Sequence, residues 1–330
     1  MNDSSIDVLI LGAGMAGLSA ARTLSRLGRD VVVIEKGRGI GGRLANRRFG
    51  GAVFDNGAQF VTQRSPLWEE HISAWLEAGI ISEWCPQSVS PEAGLRAYRG
   101  HPAMSAMAKD LARGLDVRLQ HKATAIHSIK SGWMVEIEDG ETLYASSLLI
   151  TAPVPQAVDL LDAGETLLAQ WQRQRMRKVT YEKCLALMAV LKDPSAIPAP
   201  GFLKPADGPL AWLGDNHQKG ISEVPAVTIH ATPEYSEANW ERDRSAVSRE
   251  LLQAAQPWLD SSVINFQLHG WRYSRPIHKV RETCWVISYD PFLVLAGDAF
   301  GGASVEGAAL SGLAASDVLM GESSLLSTAL

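Results

Sequence analysis

The first forty residues carry two strand patterns separated by a helical one. Asp7 to Leu11 is a short apolar run typical of a buried parallel strand, and Val31 to Glu35 repeats it. Between them apolar residues recur at helical spacing as far as Leu27, and Gly28 follows as a helix terminator. The pattern predicts strand, helix and strand within about thirty residues, which is the βαβ unit of an α/β fold.

Strand and helix patterns continue along the rest of the chain. Pro66 to Ile80 and Ser236 to Gln256 carry helical spacing, and five prolines between Pro194 and Pro209 indicate a long loop. The other apolar runs predict strands, which are Ala123 to Ile126, Trp133 to Glu138, Ser147 to Pro153, Val179 to Leu191, Ala226 to Ala231, Val263 to Tyr273 and Phe292 to Asp298.

Composition and charge narrow the class of protein. The 330 residues, 46% of them hydrophobic, favour one large or two intertwined domains. Thirty-one Lys and Arg against 36 Asp and Glu give a net charge of −5 without charge runs, which argues against a general nucleic-acid binder. Cys85, Cys184 and Cys284 form no CxxC pair, so we expect a reducing compartment and neither a disulfide framework nor a metal site.

The apolar run Val8 to Ala21 has the length of a signal-peptide core. Glycines interrupt it, and its flank carries Asp3 and Asp7 rather than Lys or Arg. No other stretch approaches the ~20 apolar residues of a membrane helix. We therefore expect a cytoplasmic protein with neither a membrane nor a nucleic-acid partner, and the sequence leaves the oligomeric state open.

A glycine-rich turn joins the first strand to the first helix. Gly12 suits a tight turn, Gly14 lets the backbone approach a pyrophosphate, and Gly17 lets helix and strand pack closely. The helix N-terminus offers free N–H groups to phosphates. Candidate ligands of this turn are Gly12, Ala13, Gly14, Met15 and Gly17. Glu35 closes the second strand where a carboxylate can accept both ribose hydroxyls of an adenosine.

The run Lys36 to Arg43 indicates which dinucleotide binds the turn, because it favours a bound FAD over an exchanging nicotinamide cofactor. It contains Gly41 and Gly42, which suit close backbone approach, and Arg43, which can pair with a pyrophosphate. This run resembles the second FAD motif of the flavin amine oxidase superfamily. The resemblance implies FAD as cofactor, with Lys36, Gly42 and Arg43 among its ligands.

Segments at the other end of the chain carry the same resemblance. Phe292 to Asp298 is an apolar strand ending in Gly-Asp, and Gly301 to Gly312 opens a helix. Similar segments of the superfamily hold the flavin end of FAD. The resemblance implies that Asp298 bonds a ribitol hydroxyl and that the helix N-terminus around Val305 favours the anionic reduced flavin.

Two further segments resemble FAD contacts of the superfamily. The resemblance implies that the Gly-Ala pair within Phe54 to Phe60 would let the backbone approach the isoalloxazine, and that Ala123 would touch adenine through its backbone. The residues implied at the isoalloxazine are Gly57, Ala58, Gln59 and Phe60. Because no cysteine lies before Gly297 at the position that the family uses for covalent attachment, we expect non-covalent FAD.

FAD motifs at both ends of the chain imply a discontinuous cofactor domain. We predict an α/β fold in which a Rossmann-type FAD-binding domain contains an inserted α+β substrate domain built on a mixed sheet. The predicted FAD-binding ranges are 1–65, 98–155 and 283–330. The predicted substrate-binding ranges are 66–97 and 156–282.

The inserted region offers candidate substrate residues. They are His230, Trp271, Tyr181 and Trp212, with Gln59 from the FAD segment. A single aromatic residue or histidine on a strand is more often core packing or an edge contact than a substrate contact, so each one is a hypothesis. Asp215 to Gln218 is predicted to be a polar turn, since its side chains lack metal-ligand spacing.

Four segments resemble the renalases, a family of flavoproteins within the superfamily. They are Gly57 to Phe60, Thr151 to Gln156, Ile229 to Thr232 and Gly270 to Ser274. The resemblance implies oxidation of 2- and 6-dihydro isomers of NAD(P)H, with dioxygen reoxidising the flavin to give hydrogen peroxide. His230 and Gln59 would then fix the carboxamide or ribose of the substrate, with Tyr181 and Trp271 as further active-site residues.

Alternative functions stay open at this point. An amine oxidase of the same superfamily would place a lysine near the flavin, and Lys192 is a candidate, although a strand-end lysine is as often solvated. A carotenoid-type desaturase would use a membrane-surface patch, for which no basic amphipathic helix is evident. A redox-inactive flavin-binding module is the third alternative.

Overall fold

The computed structural model describes residues 6–278 and 280–321. Asp3 and the outer ends of the predicted domain ranges, together with residue 279, lie outside them. The strands are β1 (Ile6–Leu11), β2 (Val31–Glu35), β3 (Asn46–Phe49), β4 (Ala52–Asp55), β5 (Val61–Thr62), β6 (Ile81–Cys85), β7 (Ala97–Gly100), β8 (Asp116–Leu119), β9 (Ala123–Ile129), β10 (Gly132–Ile137), β11 (Thr142–Ile150), β12 (Tyr181–Leu191), β13 (Phe202–Leu203), β14 (Leu210–Asp215), β15 (Ala226–Ala231), β16 (Val263–Pro276), β17 (Trp285–Tyr289) and β18 (Phe292–Leu295).

The helices of the described residues vary from one turn to more than four. They are α1 (Met15–Arg26), α2 (Glu69–Glu77), α3 (Ser105–Leu111), α4 (Val154–Ala163), α5 (Gln170–Arg177), α6 (Pro233–Ala238), α7 (Arg244–Leu259), α8 (Asp298–Gly301) and α9 (Val305–Leu319). Short 3₁₀ turns occupy Gly42–Leu44, Pro66–Trp68 and Gln87–Val89.

The chain divides into two compact units. The first contains the described residues of Met1–Gly42, Ala108–Thr180 and Pro276–Leu330, and the second contains Arg43–Met107 and Tyr181–Arg275. Both units are discontinuous in sequence, so each is closed by contacts between residues that are far apart along the chain.

The first unit is built on a largely parallel sheet in the order β17-β18-β11-β1-β2-β8. β1 pairs in parallel with both β2 and β11. Its residues Val8, Leu9 and Ile10 are fully buried, as expected for a parallel strand covered on both faces. The predicted βαβ unit and Rossmann-type α/β fold are thereby confirmed.

α1 and α9 pack closely within the first unit. A methyl group added at Gly312 of α9 would lie 2.1 Å from the carbonyl oxygen of Ala16 in α1. Glycine at 312 therefore permits an approach that any larger side chain would prevent. This contact joins the first predicted FAD motif to the last one, across almost the whole length of the chain.

The second unit contains a five-stranded sheet in the order β13-β14-β15-β12-β16. The pairs β13–β14, β14–β15 and β12–β15 are antiparallel. α7 covers one face of the sheet with buried side chains at helical spacing, which are Val247, Leu251, Ala255 and Leu259. These side chains form one core with Leu187, Leu213 and Ile229 of the sheet.

Two local predictions differ from the structure. The helix predicted at 236–256 is divided, because Asp243 accepts the backbone N–H of Ala246 at 2.8 Å and so begins a new helix, α7. β14 was missed because the proline-rich segment before it masks the start of a strand whose residues include Trp212 and Gly214.

The compact units also differ from the predicted domain ranges. Residues 43–65 and 98–107 belong to the second unit, since Ala52 and Phe54 of β4 share a core with Met188 of β12. Residues 156–180 belong to the first unit, where Gly164 lies against the backbone of Ile126. Residues 276–278 and 280–282 also belong to the first unit. Which unit holds which ligand remains a prediction.

Within the described residues, no helix combines the length and apolar character that crossing a membrane requires.

Candidate active site

The turn between β1 and α1 has the conformation that its glycines predict. Gly12 has φ +112°, a value that residues with a side chain rarely adopt. A methyl group on Gly17 would lie 2.0 Å from the carbonyl oxygen of Gly12, so only glycine lets the helix approach the turn. The hydroxyl of Thr151 donates to the carbonyls of Leu11 and Gly12 at 3.0 and 3.1 Å and supports the turn from β11.

The N-terminus of α1 is accessible to a phosphate. No side chain caps it among the described residues, and a methyl group on Gly14 would meet no atom within 4 Å. Gly42 lies beside it, since its own added methyl would be 3.7 Å from the Gly14 Cα. Free N–H groups, a helix dipole and open space together fit a pyrophosphate.

Glu35 closes β2 beside this turn. One carboxylate oxygen accepts the N–H of Ala13 at 3.0 Å, and the other accepts the N–H of Gly37 at 2.7 Å. Each oxygen keeps a further lone pair for a ribose hydroxyl. The predicted nucleotide site therefore has its acid in place, and that acid also orders the turn.

The remaining predicted ligands of the first unit lie at separate places in its sheet and helices. Lys36 is exposed and donates to Gln156 at 3.1 Å, and Ala123 begins β9. Asp298 is buried at the start of α8, and Val305 is the first residue of α9. Met15 is the first residue of α1. Their contacts with FAD remain predictions.

We expect Glu35→Ala to raise the FAD dissociation constant at least tenfold, because it removes two charge-assisted ribose contacts worth ~1.5 to 3 kcal/mol each. Equilibrium dialysis of apoprotein against FAD measures it. Asp7→Ala is the matched control, since Asp7 also accepts a backbone N–H, that of Asp30, at the other end of the sheet. Unchanged FAD affinity in Glu35→Ala would refute the nucleotide assignment.

Other predicted FAD ligands belong to the second unit. Arg43 donates to the carbonyl of Ser274 at 3.1 Å, and its own carbonyl accepts the N–H of Ala58 at 2.8 Å. A methyl group on Gly57 would lie 2.1 Å from the same carbonyl of Arg43, which explains the need for glycine. These contacts order the 55–60 segment, and the role of Arg43 at a pyrophosphate stays a prediction.

Gln59 and Phe60 lie within a group of aromatic residues in the second unit. The ring of Trp212 stacks on Phe202 with centroids 5.1 Å apart and planes 4° from parallel. Phe60 lies 5.8 Å from Trp212 and 6.3 Å from Trp84. We call these four residues the aromatic cluster: Phe60, Trp84, Phe202 and Trp212.

His230 and Trp271 meet at one backbone carbonyl, that of Asn56. His230 Nε2 donates to it at 3.2 Å and Trp271 Nε1 donates at 2.9 Å. Because a carbonyl can only accept, His230 carries its proton on Nε2 and keeps Nδ1 as an acceptor. The two predicted residues are thus brought together beside the 55–60 segment, although they lie on different strands.

The imidazole of His230 stays neutral over the physiological range. Desolvation by the surrounding protein lowers its pKa to about 4, and the nearby positive charge of Lys219 acts in the same direction. The hydrogen bond to Asn56 opposes this shift without overcoming it. His230 is therefore suited to hydrogen bonding rather than to carrying a positive charge.

A buried ion pair, which the sequence did not reveal, holds the 55–60 segment. Lys219 Nζ lies 2.8 Å from Asp55 Oδ2, with both side chains 1% exposed or less. Lys219 also donates to the carbonyl of Gln59, and its ammonium lies 5.2 Å from the ring centroid of Trp84. The sequence signal that could have indicated this ion pair is the position of Lys219, directly after the polar run Asp215 to Gln218.

The polar turn before Lys219 is confirmed. Asp215 accepts the N–H groups of His217 and Gln218 at 2.8 and 2.9 Å, and Asn216 bonds Thr228 at 3.0 Å. These side chains serve the backbone and the neighbouring strand. The turn positions Lys219 directly after it.

Two further candidates lie on or beside β12. The ring of Tyr181, the first residue of β12, packs edge-on against Tyr273 with centroids 5.6 Å apart. Lys192 is exposed just beyond β12, where its backbone N–H donates to Ser262. Its position is that of a solvated strand-end lysine.

Comparisons with known proteins agree with this architecture. A family model described as flavin containing amine oxidoreductase matches residues 90–320, and one described as NAD(P)-binding Rossmann-like domain matches residues 10–75. A solved structure of a putrescine oxidase triple mutant has a TM-score of 0.71 at 15% identity, covering 97% of this chain and 99% of that one. This structural likeness shows the fold.

Sequence relatives include renalase from Mus musculus, which is 25% identical over 94% of this chain and 98% of that protein. Putrescine oxidase from Kocuria rosea is 45% identical over 56 residues, which are 17% of this chain and 12% of that protein. The cofactor is accordingly FAD. Since the family model spans most of the chain and the nucleotide turn fits the cofactor, this protein belongs to the family of flavin-containing amine oxidoreductases.

Proposed function

We propose that this protein is an oxidase of the 2- and 6-dihydro isomers of NAD(P)H, producing NAD(P)⁺ and, with dioxygen, hydrogen peroxide. The similarity to renalase over nearly the full length of both chains supports this choice within the family. Bound FAD would supply the acceptor for the substrate hydride and the route for its two electrons to dioxygen.

The observation that carries the proposal is the similarity to renalase, and the position of His230 beside the 55–60 segment, with its imidazole kept neutral by burial, is consistent with it. A ring-nitrogen lone pair in these isomers assists hydride departure and leaves an aromatic cation, so their oxidation needs no general base. A histidine with a pKa lowered to about 4 hydrogen-bonds such a substrate without adding a positive charge near the developing cation. Placement of the dihydropyridine then matters more than proton transfer.

The second unit offers the groups for that placement. The aromatic cluster has planar surfaces of the kind that stack on a dihydropyridine. His230 keeps Nδ1 as an acceptor, and Gln59 keeps a side-chain oxygen. In the proposal these atoms bond the carboxamide or ribose of the substrate.

An amine oxidase is the competing function in this family. Its predicted lysine, Lys192, is exposed at the end of a strand. The buried lysine of the second unit, Lys219, is committed to the carboxylate of Asp55 and the carbonyl of Gln59. Both observations favour the dihydronicotinamide substrate over an amine.

Anaerobic bleaching of the flavin tests the proposal. We expect the purified yellow protein to be reduced rapidly by the 2- and 6-dihydro isomers and far more slowly by ordinary 4-dihydro NADH, in which the hydride sits at a different ring position. A panel of primary and secondary amines should leave the spectrum oxidised. Rapid bleaching by amines with none by the isomers would identify an amine oxidase, and no bleaching by either would indicate a redox-inactive flavin protein.

Two accompanying features are part of the proposal. Denaturation with acid or heat should release intact FAD, since we expect the cofactor to be bound non-covalently. A cytoplasmic location is expected from the acidic flank of the apolar run Val8 to Ala21 and from cysteines that form no CxxC pair.

A further inference from the structure

Four buried side-chain polar atoms of the second unit have no hydrogen-bond partner among the residues that the structure describes. They are Oδ1 of Asn56, Oε1 of Gln59, Nε1 of Trp68 and Nε1 of Trp212. The atoms of Gln59 and Trp212 lie close to one glycine, Gly214. Gln59 and Trp212 are each 6% exposed. An unpaired buried donor or acceptor destabilises a folded protein, so such atoms commonly mark a place that a ligand or water completes.

The orientation of the Gln59 amide follows from its neighbours. Its Nε2 donates to the carbonyls of Asp55 and Gly57 at 2.6 and 3.2 Å. Carbonyl oxygens only accept, so the nitrogen must face them and the oxygen must face away. Gln59 therefore presents an acceptor, whereas Trp212 presents a donor.

The two atoms converge at Gly214. A methyl group added to Gly214 would lie 2.7 Å from Trp212 Nε1 and 2.8 Å from Gln59 Oε1. Trp212 and Gly214 lie two residues apart on β14, so they share one face of the sheet. Phe202 stacks on the Trp212 indole and holds it in place. Glycine at 214 keeps a side chain out of the point that the donor and the acceptor share.

We propose that Gln59 and Trp212 form a carboxamide-recognition pair that determines substrate specificity, an inference that rests on the proposed function. A carboxamide carries one carbonyl acceptor and one NH₂ donor. Its carbonyl accepts from the Trp212 indole N–H, and its NH₂ group donates to Gln59 Oε1. A carboxylate in the same position has no proton for Gln59 and is rejected, so the site distinguishes nicotinamide from nicotinic acid dinucleotides.

The test compares Trp212→Phe with Trp84→Phe in the holoenzyme. Both keep an aromatic ring in the aromatic cluster, but the Trp84 indole N–H is already used by the carbonyl of Pro200 at 2.9 Å. Titration with NAD⁺ and with nicotinic acid adenine dinucleotide, followed through the flavin absorbance, measures both affinities. We expect wild type to prefer NAD⁺ by at least about tenfold, because only the carboxamide has a proton for Gln59. We expect Trp212→Phe to bind NAD⁺ about fivefold more weakly, because the carboxamide carbonyl loses its donor. Trp84→Phe should keep the wild-type ratio of the two affinities and the wild-type affinity for NAD⁺.

Thermal melting and FAD retention supply readouts that are independent of substrate. Trp212→Phe removes an unpaired donor, so its melting temperature should equal or exceed that of wild type while its FAD affinity stays the same. A lower melting temperature with an unchanged affinity for NAD⁺ would mean that the two side chains bond each other, which overturns the proposal. Weakened FAD binding in this variant alone would assign the pair to the cofactor and overturn it as well.

Failure of this inference is distinguishable from failure of the proposed function. If the dihydro isomers reduce the wild-type flavin but wild type shows no amide preference, or Trp212→Phe keeps the wild-type affinity for NAD⁺, the recognition pair is wrong and the oxidase function stands. If amines reduce the wild-type flavin and the isomers do not, the proposed function fails, and the recognition pair fails with it.

Discussion

Replacing Asp55 with asparagine should lower the free energy of unfolding by about 3 to 5 kcal/mol, because it leaves the ammonium of Lys219 buried without a counter-charge. The carboxylate also accepts the N–H of Met104 at 3.0 Å, so the substitution disturbs a second contact. Urea unfolding followed by far-ultraviolet circular dichroism measures the change. This is the largest stability effect that we expect of a single substitution in the second unit.

Two controls separate the ion pair from other consequences of the substitution. Glu83→Gln breaks the exposed pair with Arg96 in the same unit and should change stability little. The double variant Asp55→Asn, Lys219→Met removes both charges and should recover much of the loss. A single Asp55→Asn variant as stable as wild type would show that Lys219 does not depend on this carboxylate.

His230→Ala should lower the ratio of the flavin reduction rate constant to the substrate dissociation constant by about 5- to 150-fold. The reason is that one hydrogen-bonding partner is lost from a largely desolvated site. FAD content should stay near that of wild type, since His230 lies outside every FAD motif. Stopped-flow reduction by the purified 6-dihydro isomer of NADH measures both quantities. A wild-type rate would show that His230 only packs in the core. Loss of flavin would show that His230 is needed for the folded cofactor site rather than for substrate binding.

His217→Ala is the matched control for that variant. Its imidazole also bonds a backbone carbonyl, that of Ser222 at 3.0 Å, but it lies in the polar turn away from the Asn56 carbonyl. The pH profile of wild type adds a second readout. With the pKa of His230 lowered to about 4, the imidazole is neutral above about pH 5, and reduction should vary little from there to pH 9. A limb near pH 6.5 that disappears in His230→Ala would contradict a neutral histidine.

The parts of the fold that could be predicted are those with strong local patterns. β1, α1 and β2 follow from two apolar runs, a helical spacing and three glycines within about thirty residues. The break between α6 and α7 was harder to predict, because apolar spacing continues through it and only the capping contact of Asp243 reveals the new start. β14 carries a pattern too short to stand out after the proline-rich loop.

The predicted site residues divide in the same way. Glu35 and the glycines of the first turn could be predicted because their roles depend on backbone geometry within one supersecondary unit. His230 and Trp271 were named from short segments, but their shared contact with Asn56 is evident only in the folded chain. Tyr181 was named on the same kind of evidence; its ring packs edge-on against Tyr273, and its role at the substrate stays a prediction.

The sequence by itself determined the fold class and the nucleotide turn with its acid, because both depend on residue spacing and steric need within a short window. The cofactor followed from the resemblance of short segments to known FAD motifs. Only the tertiary structure decided that Lys219 would be buried against Asp55, and that Gln59 would meet Trp212 at Gly214. These partners lie more than 150 residues apart along the chain. Their meeting depends on how distant strands pack together, and no local pattern of apolar and polar positions carries that information.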